Sequence, residues 1–262
     1  MKIEKILAFI WLVIAAVLIF LFVSFIKNDG MFHFRFNSNH PSKSLAGSYD
    51  LYSDESYTKE QITEFEINLT SEAIFFETSE DDKITIEFYC NEDRKPVTSL
   101  DGTKYSIKSK NIHKPGGSSK QRKIVIYIPK DYTIEKINAT ISSGSIYLAD
   151  CKIDLFQSEI SSGIIQGNAK INEIHSNSSS GVTKLTLNEP LTRESSLYTT
   201  SGIIKLKIPE ESNLSIYHTV TSGIYNNKLK LEETTKGPDV LGTGDVKLHL
   251  SATSGIIKIN EG

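Results

Sequence analysis

The sequence predicts an all-β fold: a β-solenoid-like or β-helix-like stack of about seven two-strand coils, preceded by one N-terminal transmembrane helix. Three observations lead to this prediction. An uncharged apolar run covers residues 6–26, six Ser-Gly pairs recur in the second half, and apolar residues alternate on both sides of most pairs. These features divide the chain into an anchor (1–27), a linker (28–60) and a β-strand-repeat domain (61–262).

The apolar run predicts a membrane-spanning signal anchor. Its 21 residues contain no charge, and at 1.5 Å per residue they span roughly 30 Å, the thickness of a bilayer's hydrocarbon core. A cleavable signal peptide is the alternative, but such a peptide ends in small residues, whereas residues 22–26 are mostly bulky. Lys2 and Lys5 favour a cytoplasmic N-terminus. We therefore expect a single-pass protein of the cell membrane with the bulk of the chain extracytoplasmic.

Residues 28–60 have the composition of a linker. Residues 28–30 and 37–42 are rich in the Asn, Asp, Gly, Ser and Pro of turns and loops. Between them, residues 31–36 alternate aromatic with polar side chains. This segment is either a short strand or a group of aromatic residues at the lipid interface.

The Ser-Gly pairs are the main signal of the repeat domain. Their glycines are 19, 18, 21, 21 and 32 residues apart, and Ser or Thr precedes every pair. Alternation on both sides predicts two short strands that meet at a Ser-Gly corner, and stacking would bury the apolar face of each coil. Glycine there supplies positive φ or room for close backbone approach, and the Ser and Thr hydroxyls are expected to form structural ladders. The predicted corner glycines are Gly144, Gly163, Gly181, Gly202, Gly223 and Gly255.

Two regions depart from the regular repeat. Upstream, Glu72 takes the glycine position of a seventh, degenerate unit, with alternating apolar residues on both sides. Three strand-like runs follow it, at Lys83–Tyr89, Lys104–Lys108 and Lys123–Pro129. Downstream, an insertion at 227–244 accounts for the spacing of 32 residues.

Three segments of the domain, residues 62–89, 123–146 and 242–260, resemble the bacterial adhesin-like family of β-strand-repeat domains, a family of unknown function. The resemblance implies a β-solenoid or β-helix-like fold and brings no catalytic residues. Members with one membrane helix are similar to proteins encoded beside envelope-stress regulators. The family often has Asp after Ser-Gly, whereas Ile, Val or Ser stands there in this chain.

Composition and motifs exclude several function classes. The net charge is −3, and a nucleic-acid partner is not expected without a basic stripe. Nothing matches a Ser/His/Asp set, a P-loop, a dinucleotide fingerprint or a metal-ligand pattern, so we expect no enzyme activity, cofactor or metal. The alternative is a polysaccharide-active β-helix enzyme, which needs clustered carboxylates. The acids of the repeats instead scatter as a solvated face: Glu135, Asp154, Glu159, Glu173 and Glu194.

The expected function is that of a non-catalytic, membrane-anchored binding or scaffold protein of the cell envelope, and the resemblance links it to envelope stress or adhesion. Its partner would be an envelope protein or a surface polymer. Tyr198 and Tyr217 are predicted to point outward on neighbouring coils. They form either a small contact patch or two scattered surface tyrosines.

Two cysteines, Cys90 and Cys151, are too few for a disulfide-stapled secreted domain. Cys90 ends an alternating apolar run, so it is predicted to be buried. Two buried thiols and a Cys90–Cys151 disulfide both remain open, and the pattern favours the thiols.

Overall fold

The computed structural model describes residues 49–110, 122–229, 231 and 237–262, all within one compact unit, Ser38–Gly262. The anchor predicted at residues 6–26 lies outside this part of the chain. Within it, no helix combines the length and apolar character needed to cross a membrane. The described strands are β1 (Leu51–Thr58), β2 (Glu64–Leu69), β3 (Ala73–Ser79), β4 (Lys83–Tyr89), β5 (Val97–Asp101), β6 (Lys104–Lys108), β7 (Lys123–Pro129), β8 (Thr133–Ile141), β9 (Ser145–Ile160), β10 (Ile164–Ser178), β11 (Val182–Leu187), β12 (Ser195–Thr199), β13 (Ile203–Ile208), β14 (Leu214–Val220), β15 (Ile224–Asn227), β16 (Asp239–Leu241), β17 (Val246–Ala252) and β18 (Ile256–Glu261).

These strands form two faces that meet at the Ser-Gly corners. The upstream sheet holds the strands that lead into the corners, in the spatial order β5-β6-β2-β8-β9-β10-β12-β17-β14-β16. The downstream sheet holds the strands that leave them, in the order β1-β4-β7-β3-β9-β10-β11-β13-β18-β15. Strands β9 and β10 run through both sheets. The all-β, solenoid-like fold is thereby confirmed.

The corner glycines are required by close packing of the backbone. At successive corners, the N–H that follows each glycine donates to the preceding corner's carbonyl, as from Ile164 to Gly144 at 3.1 Å and from Ile203 to Gly181 at 3.0 Å. A Cβ at any of the six corners would lie 2.0–2.8 Å from a neighbouring main-chain oxygen. None of the six has positive φ. Of the two roles that the sequence leaves open, the structure therefore selects close approach.

Glu72 occupies the same corner position as the glycines, as predicted, because the N–H of Ser145 donates to its carbonyl at 2.9 Å. Its side chain is fully buried. The carboxylate pairs with the Arg122 guanidinium at 2.6 Å and accepts hydrogen bonds from the Ser109 hydroxyl and the Ser71 N–H. Both Ser109 and Arg122 flank strands of the next layer, β6 and β7. The layer beyond Glu72 thus provides side-chain partners for its carboxylate, in addition to the backbone hydrogen bond from the Ala73 N–H to the Arg122 carbonyl at 3.1 Å.

The layers do not stack in chain order at either end. Strands β6 and β7 lie outside β2 and β3, which adds a layer that the count of about seven coils lacks. At the other end, β17 and β18 insert between the layer of β12 and β13 and the layer of β14 and β15. The insertion at 227–244 gives the chain the length to pass the outermost layer and return inside it.

Antiparallel strands pair with the outer layers. Strand β16 pairs with β14, and β5 pairs with β6. Strand β4 pairs with β7, and β1 pairs with the other side of β4. Such pairing covers backbone edges that would otherwise be open to another chain. Strand β1 falls inside the predicted linker, and its two sides are both largely polar. Apolar alternation therefore could not mark it as a strand.

Aliphatic and aromatic side chains from both sheets fill the space between them. Phe65 and Phe76, from β2 and β3, meet edge to face with ring centroids 5.3 Å apart. Cys90 and Cys151 both lie in this core as free thiols. Burial raises the pKa of the Cys151 thiol to about 12. Both cysteines are structural residues of the core, and no disulfide joins them.

Candidate functional site

A continuous row of polar side chains crosses the outer surface of the upstream sheet. The row members each precede a corner glycine by four residues, so they share one position of the repeat. Direct register joins Thr140 to Glu159, Glu159 to Asn177, Asn177 to Tyr198 and Tyr198 to Ser251. Because neighbouring strands are about 4.8 Å apart, the five side chains follow one another at that interval.

This row lies in a shallow groove beside the Ser-Gly corners, with a volume of about 450 Å³. We call it the corner groove. Besides the row, its lining includes corner hydroxyls that are exposed to solvent, among them Ser161, Ser179, Thr200 and Thr253. The Ser and Thr residues of the predicted hydroxyl ladders thus form part of an open surface. The hydrogen bonds that join successive corners run between main-chain N–H and C=O groups. No Lys, Arg or His is among the described residues that line the groove.

The structure separates the two tyrosines of the predicted contact patch. Tyr198 on β12 is 44 % exposed and lines the corner groove. Tyr217 on β14 is 40 % exposed, but β17 lies between β12 and β14. The Tyr217 ring stacks on His249 of β17 with centroids 5.0 Å apart. The prediction that they lie on neighbouring coils is therefore wrong, because the last coil of the chain inserts between them.

A charged cluster lies on the same sheet, towards the strand ends away from the corners. The Arg193 guanidinium binds Asp154 at 2.7 Å and Glu173 at 2.9 Å, and Glu173 also contacts the His175 ring at 2.7 Å. The hydrogen bond from Arg193, followed by that from Asn172, lowers the pKa of Asp154. The sequence places these acids apart, whereas coil stacking brings Asp154 and Glu173 to one guanidinium. Asp154 is thus held as an ionised acceptor, the opposite of a proton donor.

A second depression, of about 660 Å³, lies near the turn between β3 and β4 and includes Glu80, Asp81, Glu87 and Asp150. Three of these acids have protein partners, among them Glu87, which accepts a hydrogen bond from the Tyr89 hydroxyl at 2.7 Å. Lys130 pairs with Glu80, and the Asn188 amide donates to Asp150 at 3.0 Å. Over the described residues, no three His, Cys, Asp or Glu side chains converge in a way that could hold a metal ion.

The fold and this surface define a β-repeat protein of the solenoid-like class. The family model described as Toastrack DUF4097 matches residues 62–207, more than half of the chain. The chain belongs to this family, which confirms the resemblance seen in the sequence. No curated protein matches the chain in sequence.

Three solved bacterial structures align with this chain over most of its length. A candidate cell adhesion protein from Clostridium sporogenes has a TM-score of 0.55 at 11 % identity, covering 81 % of this chain and 100 % of that one. A candidate adhesin from Bacteroides fragilis has a TM-score of 0.38 at 15 % identity, covering 82 % and 99 %. A candidate lipid-binding protein from Parabacteroides distasonis has a TM-score of 0.36 at 15 % identity, covering 79 % and 96 %. The first of these likenesses shows the fold alone.

Proposed function

We propose that the protein is a non-catalytic, membrane-anchored binding protein of the bacterial cell envelope, and that its corner groove binds a glycan chain of the cell surface. The domain would lie outside the cytoplasmic membrane, held by the anchor predicted at residues 1–27. The observation that carries the proposal is the row Thr140, Glu159, Asn177, Tyr198 and Ser251, aligned across five layers in one groove.

The chemistry of the groove suits a hydroxyl-rich polymer. Hydroxyl and amide side chains both donate and accept hydrogen bonds, and the Glu159 carboxylate accepts them. Tyr198 adds a flat apolar ring with a polar tip. A chain of sugars presents apolar ring faces and many hydroxyls, so it matches both features. An anionic polymer matches less well, because the lining of the groove has an acid and no cation.

The charged cluster supports a binding role over the enzyme alternative. Glycoside hydrolysis needs one carboxyl that holds a proton near neutral pH and a second that is free to act as base or nucleophile. Arg193 lowers the pKa of Asp154 and also pairs with Glu173. Both carboxylates already have a cationic partner, which suits neither of these roles.

The link to envelope stress or adhesion follows from the family resemblance and belongs to the same proposal. An envelope protein remains the other partner that the sequence suggests. Crosslinking in intact cells with a C-terminal tag would separate the two, because a groove that binds glycan captures wall material. Repeated capture of one envelope protein without glycan would favour a scaffold function instead.

The glycan proposal is tested by co-sedimentation of the purified full-length chain, in detergent, with wall sacculi stripped of anionic polymers. Tyr198→Ala should weaken binding about tenfold, because it removes an aromatic contact from the groove. Tyr217→Ala is the matched control, since that tyrosine is almost equally exposed and lies outside the groove. Its binding should equal that of the unmodified chain.

Equal loss in the two variants would contradict a role for the groove, as would full binding by Tyr198→Ala. The supernatants should contain no newly released reducing sugar. Time-dependent release that Asp154→Asn abolishes would overturn the non-catalytic proposal in favour of a polysaccharide-active enzyme.

A further inference from the structure

The row of side chains in the corner groove continues beyond the groove, onto the layers at the β5 end of the upstream sheet. Thr140 is in register with Asn68 of β2, Asn68 with Lys108 of β6, and Lys108 with Val97 of β5. Asn68 precedes Glu72, the degenerate corner, by four residues, so it shares the row's position in the repeat. Asn68, Lys108 and Val97 are all exposed. One outward line of side chains therefore leads from the groove to a lysine.

The corner hydroxyls that line the groove also lead to a lysine in the layer of β6. Thr70 precedes Glu72 by two residues, as Ser161 precedes its corner glycine. The Thr70 N–H donates to the Ser109 hydroxyl at 2.7 Å. The chain that follows β6 therefore passes beside this corner, and the exposed Lys110 comes next. Both lines of polar side chains thus arrive at a cation, although none of the described residues that line the groove is one.

These two lysines differ from Lys104, the other lysine of β6. Lys104 has an acid in register on each side, Asp101 and Glu64. The register neighbours of Lys108 are instead an apolar and an amide side chain. Within the described part of the chain, neither Lys108 nor Lys110 forms an ion pair. Their charges are therefore available to a ligand.

An acid on the strand next to Lys108 already has another partner. Glu66 of β2 is in register with Ser106, two residues before Lys108. Its two carboxylate oxygens accept hydrogen bonds from the Asn138 amide at 3.2 and 3.0 Å. Asn138 belongs to β8, which pairs with the side of β2 away from β6. The Glu66 carboxylate thus contacts the opposite neighbour of β2 and leaves the Lys108 ammonium to solvent or to a ligand.

We propose that Lys108 and Lys110 bind an anionic group, a carboxylate or a phosphate, on the glycan that occupies the corner groove. This inference rests on the proposed glycan binding and names a substituent that the polymer carries. Uncharged sugars lie along the groove, and the anionic group extends to the layer of β6. Lysine suits this role because its ammonium donates three hydrogen bonds from a flexible stem, to carboxylate and phosphate alike.

The charges of the row also decide where along the glycan the anionic group lies. Glu159 and Lys108 are three strands apart in the row, which is about 14 Å at the usual strand spacing. A polymer with an acid on every sugar would place one beside Glu159, where like charges repel. The lysines and Glu159 together therefore select an occasional anionic group, separated from the next by neutral sugars.

The test compares binding of the full-length chain, in detergent, to wall sacculi in three forms: untreated, stripped of anionic polymers, and stripped with their carboxyl groups converted to amides. Replacing Lys108 and Lys110 together by Gln should weaken binding to untreated sacculi about fivefold, the usual scale of two exposed ion pairs. The matched control replaces the exposed Lys184 and Lys207 of the downstream sheet by Gln. It changes the net charge equally and should leave binding unchanged. The fivefold difference should vanish in about 1 M salt, which screens exposed charges.

The three forms of sacculi identify the source of the anionic group. A difference between the unmodified chain and the Lys108/Lys110 variant that persists after stripping and disappears on amidation assigns a carboxylate. A difference that stripping alone abolishes assigns a phosphate. The inference is wrong if the variant binds untreated sacculi as well as the unmodified chain does, if the full difference remains on amidated sacculi, or if the control variant loses as much binding.

Tyr198→Ala in the same assay keeps the two proposals apart. If Tyr198→Ala weakens binding and the lysine variant does not, glycan binding in the groove stands and this inference alone fails. If Tyr198→Ala binds fully, the groove itself is rejected as the glycan site, and the inference that rests on it fails as well.

Discussion

At the residue scale, one atom at each corner decides whether the coils can stack. The sequence marks six of the corners by a Ser-Gly pair, and all six predicted glycines lie in the corner ladder. The sequence could not tell which property of glycine matters, because positive φ and close approach leave the same signature. Contact between carbonyl oxygens and the missing Cβ is a relation between coils, so only the stacked structure reveals it.

Gly202→Ala should destabilise the fold by about 1–3 kcal/mol, the usual effect of forcing an atom into a packed interior. Its Cβ would lie 2.3 Å from the Gly181 carbonyl oxygen and 2.4 Å from the Thr199 hydroxyl. Urea unfolding measures the change. Ser201→Ala, at an exposed position of the same corner, is the control and should stay within about 0.5 kcal/mol of the unmodified protein. Equal stability of the two variants would show that the corner yields without strain.

At the candidate site, too, the sequence identifies residue types but does not show which residues are neighbours in space. Tyr198 is identifiable from its outward position in the repeat, and the same position contains Glu159 and Asn177. Only the aromatic residues stand out in the sequence, because exposed rings are the usual signal of contact. The shared position of Thr140, Asn177 and Ser251 was the signal that could have completed the row. Tyr217 does not belong to the row, because units that are neighbours in the sequence are not neighbours in the stack at this end.

At the element scale, alternation predicts strands well where one side is buried. The runs Lys83–Tyr89, Lys104–Lys108 and Lys123–Pro129 are all strands with those bounds. Alternation does not identify strands β1 and β5, because most of their side chains are at least partly exposed on both sides. Their position is decided by backbone pairing with β4 and β6, which has no side-chain signature.

The inserted position of β18 predicts unusual protection for a C-terminal strand. Terminal segments ordinarily fray and exchange their amide hydrogens quickly. Strand β18 lies between β13 and β15, whereas β15 is the last parallel strand described on the downstream sheet. Native-state hydrogen exchange should therefore find β18 amides protected as strongly as those of β13, and β15 amides exchanging sooner. Faster exchange in β18 than in β15 would contradict the insertion.

At the scale of the whole molecule, the stack has one continuous core, but its strands pair layer by layer. Each layer contacts mainly the layers beside it, so stability accumulates through neighbouring interfaces. Cys151 lies on β9 in the middle of the stack, and Cys90 follows β4 near one end. The two thiols can therefore report the order in which the layers open.

In rising urea, Cys90 should react with a thiol reagent before Cys151. The outer layers have fewer neighbours, and the buried Cys151 thiol, with its pKa raised to about 12, has almost no thiolate while folded. Mass spectrometry of the labelled peptides gives the order. Simultaneous labelling would show that the stack unfolds as a single cooperative unit. Failure of both thiols to react in the unfolded, unreduced chain would reveal a disulfide and contradict the structure.

The whole molecule also separates two surface chemistries that lie close together along the chain. A single unit contributes Tyr198 to the corner groove and Lys205 to the outer surface of the downstream sheet, only seven residues apart. The corner between them sends the two side chains to opposite sides of the core. The two outer surfaces of one repeated coil thus carry different side-chain chemistries.

Local sequence patterns define the coil: its two strands, its glycine corner and the sides that face inward and outward. These properties are local, because alternation and a missing Cβ act within one repeat of about 20 residues. Only the tertiary structure decided the order of the layers and hence which surface residues are neighbours. Any such coil offers nearly the same backbone edge to any other, so the stacking order depends on connection lengths and end strands. That order places β17 between the two tyrosines and brings Lys184, Lys205 and Lys258 into register.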